Sequence, residues 1–295
     1  MATACSSDSD PPPGGDGGVD GHVSEAGVDA GALPPTALET VVSRLILPKS
    51  GSDFAVDLDN DGVSDNHFGR ILAALATANP TIDLQQQLET QMARGVLLLL
   101  LRLHATALDN ASDARVAAFF GRDLDADPSN DFSGTNTFGL QQGSPTSLIL
   151  RGRLTAGQLE VGPGPLTLPF PLGESSALVD AKNVRLTAKV SPNGFTEGVF
   201  SGAFSVDAMS TVLLPELARE IDRQYKTSAT PQGKKFLEDN FDLDKNGTIT
   251  EDELRNNPIT GLLFQTADVD LDGDQQKESI SFAIGFETVL CTIKE

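Results

Sequence analysis

Three short stretches of this chain put oxygen-bearing side chains at alternate positions and then turn on a glycine. They are Asp57-Leu-Asp59-Asn-Asp61-Gly62, Asp242-Leu-Asp244-Lys-Asn246-Gly247 and Asp268-Val-Asp270-Leu-Asp272-Gly273. Alternation around a tight turn lets several carboxylates face one point, and glycine permits the turn. Hard cations take such oxygens, and calcium takes six to eight of them. Without a cation the carboxylates repel one another and some pKa values rise. Metal binding is therefore the chemistry these residues point to.

The 242 stretch is the fullest. Asp242, Asp244 and Asn246 occupy positions 1, 3 and 5, and Gly247 occupies position 6. Thr248 offers a backbone carbonyl at position 7, Ile249 is the apolar anchor at 8, Thr250 stands at 9, and Glu253 supplies a bidentate carboxylate at 12. This pattern resembles an EF-hand loop at every diagnostic position. Apolar helical patterns flank it, with Phe236, Leu237 and Phe241 before and Leu254 after. The resemblance implies Ca2+ held by Asp242, Asp244, Asn246, Thr248 and Glu253.

The first stretch continues to Asp65, so Asp57, Asp59, Asp61 and Asp65 can converge, with Val63 at the carbonyl position. It resembles the calcium segments of thrombospondin type 3 repeats and dockerin-like modules. Position 12 is Phe68, so the bidentate glutamate is missing. The third stretch offers Asp268, Asp270, Asp272 and Asp274, with Glu278 one place early and Ser279 at position 12. A strand-capping calcium turn is expected there. A fourth, Asp123-Leu-Asp125-Ala-Asp127-Pro128-Ser-Asn130-Asp131, has proline where the glycine belongs and reads as a solvated, proline-directed turn.

Other chemistries find little support. There is no H-E-x-x-H, no G-x-S-x-G, no C-x-x-C and no phosphate loop. His22, His67 and His104 are scattered. The expectation is a protein that is not an enzyme, with a calcium-dependent hydrolase or a calcium sensor as the alternatives. A net charge of −21, with 28 aspartates among the 42 acids, excludes a nucleic-acid footprint. Three calcium ions would bring that charge to about −15. The absence of Trp and the presence of one Tyr argue against aromatic sugar platforms.

The elements that must position these loops follow from periodicity. Residues 37–47 read as a strand. Phe68, Ile71, Leu72 and Leu75 mark a helix stopped by Pro80, and Thr81 caps a second helix that ends at Gly95. The apolar run Val96–Leu101 reads as a strand buried on both faces, and is far too short to span a membrane. Between 115 and 205, short alternating runs indicate antiparallel strands. Helices are expected at 206–225, 232–241 and 251–257, with a final strand carrying Ile280, Phe282, Ile284 and Phe286 on one face. The expected fold class is α+β: a β-rich antiparallel domain with a few short helices and an EF-hand-like helix–loop–helix near the C-terminus.

Three regions are expected: a disordered Gly/Pro/Asp-rich tether over 1–35, a β-rich domain with N-terminal helices over 36–227, and the EF-hand-like segment with the final strand over 228–295, packed on that domain. The tether has no Lys or Arg and buries too little apolar surface to order itself. Ala2-Thr3-Ala4-Cys5-Ser6-Ser7-Asp8 resembles a bacterial lipoprotein junction, which implies lipidation at Cys5. Together with the Asp-rich loops it resembles secreted lipoproteins of the myxobacterial type. The function expected is an extracytoplasmic calcium-binding protein whose fold the metal stabilises, acting as a cell-surface structural or interaction protein.

Overall fold

The computed structural model describes residues 32–78, 83–145, 149–172, 175–228, 230–258, 260–261 and 266–295. Of the tether expected over 1–35, residues 1–31, with Cys5 among them, lie outside the described residues, as does the Thr81 cap. Residues 33–295 form one compact unit. Among the described residues the strands are β1 (Thr36–Ile46), β2 (Leu99–His104), β3 (Ala111–Asp123), β4 (Thr137–Leu140), β5 (Ile149–Thr155), β6 (Gln158–Leu172), β7 (Ser175–Ser191), β8 (Gly194–Ser205), β9 (Ser279–Leu290) and β10 (Thr292–Lys294). The helices are α1 (His67–Ala78), α2 (Leu84–Ala93), α3 (Val206–Ala208), α4 (Leu214–Thr227), α5 (Pro231–Phe241) and α6 (Glu251–Asn256), with a π turn over Met209–Leu213 joining α3 to α4.

The α+β expectation, with its EF-hand-like helix–loop–helix, is overturned. Eight antiparallel strands pair in the order β3-β2-β1-β9-β8-β7-β6-β5, and β5 pairs back to β3, so the sheet closes into a barrel. Strand β3 makes closure possible because it has two partner edges in use. It pairs β2 from Arg115 to Phe120 on one side and β5 from Ala111 to Ala117 on the other. Register breaks in β1 at Val42/Arg44 and in β6 near Gly164 bend the sheet toward closure. Helices α5 and α6 do flank the 242 loop, but α6 is only six residues long. Both helices pack on α4.

A cluster of buried side chains from all eight barrel strands, including Leu101, Val116, Leu154, Leu159, Leu186, Phe195 and Phe286, fills the core. Of the run expected as a strand over Val96–Leu101, Val96 is exposed and the strand begins at Leu99, while 97–101 are buried on both faces for a specific reason. Leu97, Leu99 and Leu101 join the main core, while Leu98 and Leu100 join a second cluster with Phe138 of β4 and Ile293 of β10. Short strands β4 and β10 pair in parallel and, through β4, extend β3. Strand β9 lies between β1 and β8, so residues 279–290 are a stave of the same barrel as β1. No described helix is long and apolar enough to cross a membrane.

Candidate metal centre

The acidic loops share one winding. In the first, the amide of Asp61 donates to Asp59 Oδ1, that of Gly62 to Asp57 Oδ2 and that of Val63 to Asp61 Oδ1. In the second, Asn246 donates to Asp244, Gly247 to Asp242 Oδ2 and Thr248 to Asn246 Oδ1. The third repeats this from Asp270: the amides of Asp274, Gln275 and Gln276 donate to Asp272 Oδ1, Asp270 Oδ2 and Asp274 Oδ1. Positions 4 and 6 are left-handed in each: Asn60 and Gly62, Lys245 and Gly247, Gly273 and Gln275. The third loop therefore starts two residues later than its D-x-D-x-D-G spelling suggests. Leucine at position 2 (Leu58, Leu243, Leu271) marks the register that the glycine obscured.

Three groups of carboxylates come within reach of a shared ion: Asp57, Asp59 and Asp61; Asp242, Asp244 and Glu253; and Asp270, Asp272, Asp274 and Glu278. Asn246 adjoins the second, its Nδ2 donating to Asp244 Oδ2 at 2.8 Å. Thr248 and Val63 lie within their loops, exposed. Two residues expected as ligands, Asp65 and Asp268, lie outside these three groups. Asp268 is buried and accepts from the Ser281 amide at 2.8 Å and the Ser281 hydroxyl at 2.5 Å, which pins it to β9. Asp65, 3% exposed, accepts from the Leu58 amide at 3.0 Å. Burial pushes the Asp65 carboxyl above its ordinary range, and the charges of Asp268, Asp59 and Asp61 add to that.

The acid that receives the position-2 amide recurs in all three loops. Asp65 takes Leu58, Glu253 Oε1 takes Leu243 at 2.7 Å, and Glu278 Oε1 takes Leu271 at 3.1 Å. Glu253 also accepts from the Thr250 amide and hydroxyl, completing a capping box at the start of α6. Ile249 is not anchored by strand-like pairing: its amide donates to Asp222 Oδ1 of α4 at 3.0 Å. The Lys226 ammonium and the Ile249 amide outweigh burial and hold the Asp222 carboxyl below its usual range.

The loops near 57 and 270 meet in space although about two hundred residues separate them. The Asp270 amide donates to Asp59 Oδ2 at 3.2 Å, and Lys277 Nζ lies 3.7 Å from Asp61. Beneath them Leu58 and Val269 pack on Ala203 of β8. Asn183 Nδ2 donates to the Leu58 carbonyl and Arg185 Nη1 to the Asp57 carbonyl. Asn66, fully buried, donates from Nδ2 to the carbonyls of Asp53 and Ala283 and accepts at Oδ1 from the amides of Gly69 and Ala283. It thereby ties the loop to the outer face of β9. His67 donates from its backbone amide to Ser281 Oγ, and burial pushes its imidazole toward the neutral form. Asp57 Oδ1 is buried with no hydrogen-bond partner, an oxygen that a cation would satisfy.

The 123 loop has the same start: the backbone amides of Asp125 and Asp127 donate to Asp123 Oδ1 and Asp125 Oδ1, and Ala126 is left-handed. Pro128 has no amide to give to Asp123. Asp131 is fully buried, accepts from Asn136 Nδ2 at Oδ1, and has no partner at Oδ2. Burial, then the charges of Asp123, Asp125 and Asp127, push its carboxyl up to about 6. The folded state thus binds this proton more tightly than the unfolded chain. Its contribution to stability is complete below about pH 4 and lost as pH rises to about 6. Asp131→Asn removes the titration, so in EDTA its stability relative to wild type should climb between those pH values by up to roughly 3 kcal/mol. Urea melts at closely spaced pH values check this; a difference that does not vary with pH contradicts it.

Spacing missed Glu278, Asn66 and Asp222 as parts of these sites. Leucine at position 2 was a readable signal for the first; nothing local marks the other two. Comparison with known protein families, curated proteins and solved structures gives no match for this chain.

Proposed function

We propose that this is an extracytoplasmic calcium-binding protein in which Ca2+ fixes the Asp-rich loops against a β-barrel, serving a cell-surface structural or interaction role. The observation that carries the reading is Asp57 Oδ1, buried and unpartnered within a group of three convergent carboxylates. An oxygen-only, carboxylate-rich donor set suits calcium better than softer metals. The likeness of the loops to thrombospondin type 3 and dockerin-like segments supports the same ion, and the Cys5 context supports a lipid anchor. Affinity falls in the extracellular range, about 10⁻⁴ to 10⁻³ M. Binding to the folded state alone stabilises it by linkage.

The test is a thermal melt of the full chain in millimolar calcium and in EDTA, with calorimetric counting of sites. Saturation should raise the melting temperature by roughly 5–10 °C and titrate two or three ions. Glu253→Ala should remove one ion from the count. No shift and no heat, or an unchanged count in the variant, would overturn the reading.

A further inference from the structure

A cavity of about 520 Å³ opens at one mouth of the barrel, beneath helices α1, α2 and α4. Its floor is buried and apolar, built from Leu99 of β2, Phe200 and Phe204 of β8, and Phe282 of β9. Its walls are Phe68, Leu88, Leu217 and Ile221 from the helices. These wall side chains pack against the core and line the cavity, yet stay partly exposed. An amphipathic helix ordinarily buries such a stripe completely. The volume lies within the range of sites that enclose small organic ligands, and eight-stranded barrels can hold one such molecule.

Polar groups enter from the helices alone: Gln87 and Gln91 from α2, Glu220 and Gln224 from α4. Glu220 accepts from Arg223 Nε and Nη2 and from Gln224 Nε2, at 2.7–2.8 Å. Those bonds keep it an anion but pair it with the Arg223 guanidinium, so the rim offers hydrogen bonds and a neutral ion pair. Among the described lining residues none carries a positive charge, so an anionic head group would find no partner there, on a chain whose net charge is −21. A neutral hydroxyl would donate to it or to a glutamine oxygen.

We infer that the cavity binds a small apolar molecule with a neutral, hydroxyl-bearing head, its apolar body on the phenylalanine floor and its head at Glu220. This site shares no residue with the acidic loops.

The experiment is fluorescence titration of the full chain with the neutral probe N-phenyl-1-naphthylamine, followed by displacement with dodecanol and with dodecanoate. One saturable probe per chain is expected, displaced by dodecanol at roughly tenfold lower concentration than by dodecanoate. Leu217→Trp and Leu88→Trp place bulk inside the cavity and should each weaken the probe at least about tenfold. Leu178→Trp, on an exposed position of β7, should leave it unchanged. Melting curves identify any variant that fails to fold, and the other cavity variant then decides. Absence of saturable binding, or equal binding by a folded cavity variant, would overturn the site. Equal displacement by the carboxylate would overturn the assigned head group.

Discussion

Asn66→Ala should lower the stability of the folded chain by roughly 3–5 kcal/mol, and its melting temperature by about 10 °C or more. The side chain makes four hydrogen bonds to backbone groups of Asp53, Gly69 and Ala283, and the residue is fully buried. Truncation leaves those backbone groups without partners where water cannot replace the bonds, the costly half of hydrogen-bond energetics. The second effect is functional. Asn66 immediately follows the 57–65 loop and holds it on β9, so its loss should uncouple loop from barrel. Calcium should then stabilise the variant less than wild type. Paired denaturant melts with and without calcium measure both effects. A loss under about 1 kcal/mol with an intact calcium response would show that the loop is held some other way.

Phe286→Ala should cost a similar amount, roughly 3–5 kcal/mol, by a different route. The ring is fully buried, lies 4.4 Å from the Phe200 ring and meets Phe195 edge-on at 6.5 Å. It also covers Gly198, its cross-strand partner: a methyl placed on Gly198 would lie 2.5 Å from the ring. Removing the ring opens a void that neighbouring strands cannot close. Unlike Asn66→Ala, this change should leave the calcium-dependent increment in stability untouched, because no acidic loop contacts the ring. Denaturant melts in calcium and EDTA again suffice; a reduced increment would mean that core and loops are energetically coupled.

Much of the local structure was legible. The second half of the apolar run Val96–Leu101, the alternation over 280–286 and the four-residue steps through Leu217, Ile221 and Tyr225 each correspond to an observed strand or helix. The helix after Pro80 is capped by Asp83, whose side chain accepts from the Gln86 amide. What periodicity could not give was closure. Pairing β3 with β5 and β1 with β9 depends on contacts between distant segments, and nothing in either strand names its partner. Spacing likewise cannot show that Asp65 and Asp268 are buried and lie outside the three convergent groups. Glu278 falls one place early only if Gly273 is the position-6 turn residue, whereas Gln275 holds that left-handed position. The cavity had no sequence signal, since half-buried leucines on a helix look like any core stripe.

The position of β9 has a consequence for how the chain is made. Its neighbours are β1 and β8, the first of which leaves the ribosome about 230 residues earlier at these strand positions. Until residues 279–290 emerge, β1 and β8 both carry free edges, a state open to pairing with other chains. The ring seals only when synthesis reaches its last stave. The 57 loop gains its partner at 270 in the same interval, so the acidic platform is assembled last. A nascent chain stalled before residue 268 would have neither a closed wall nor its paired loops, and would be a target for aggregation and proteolysis.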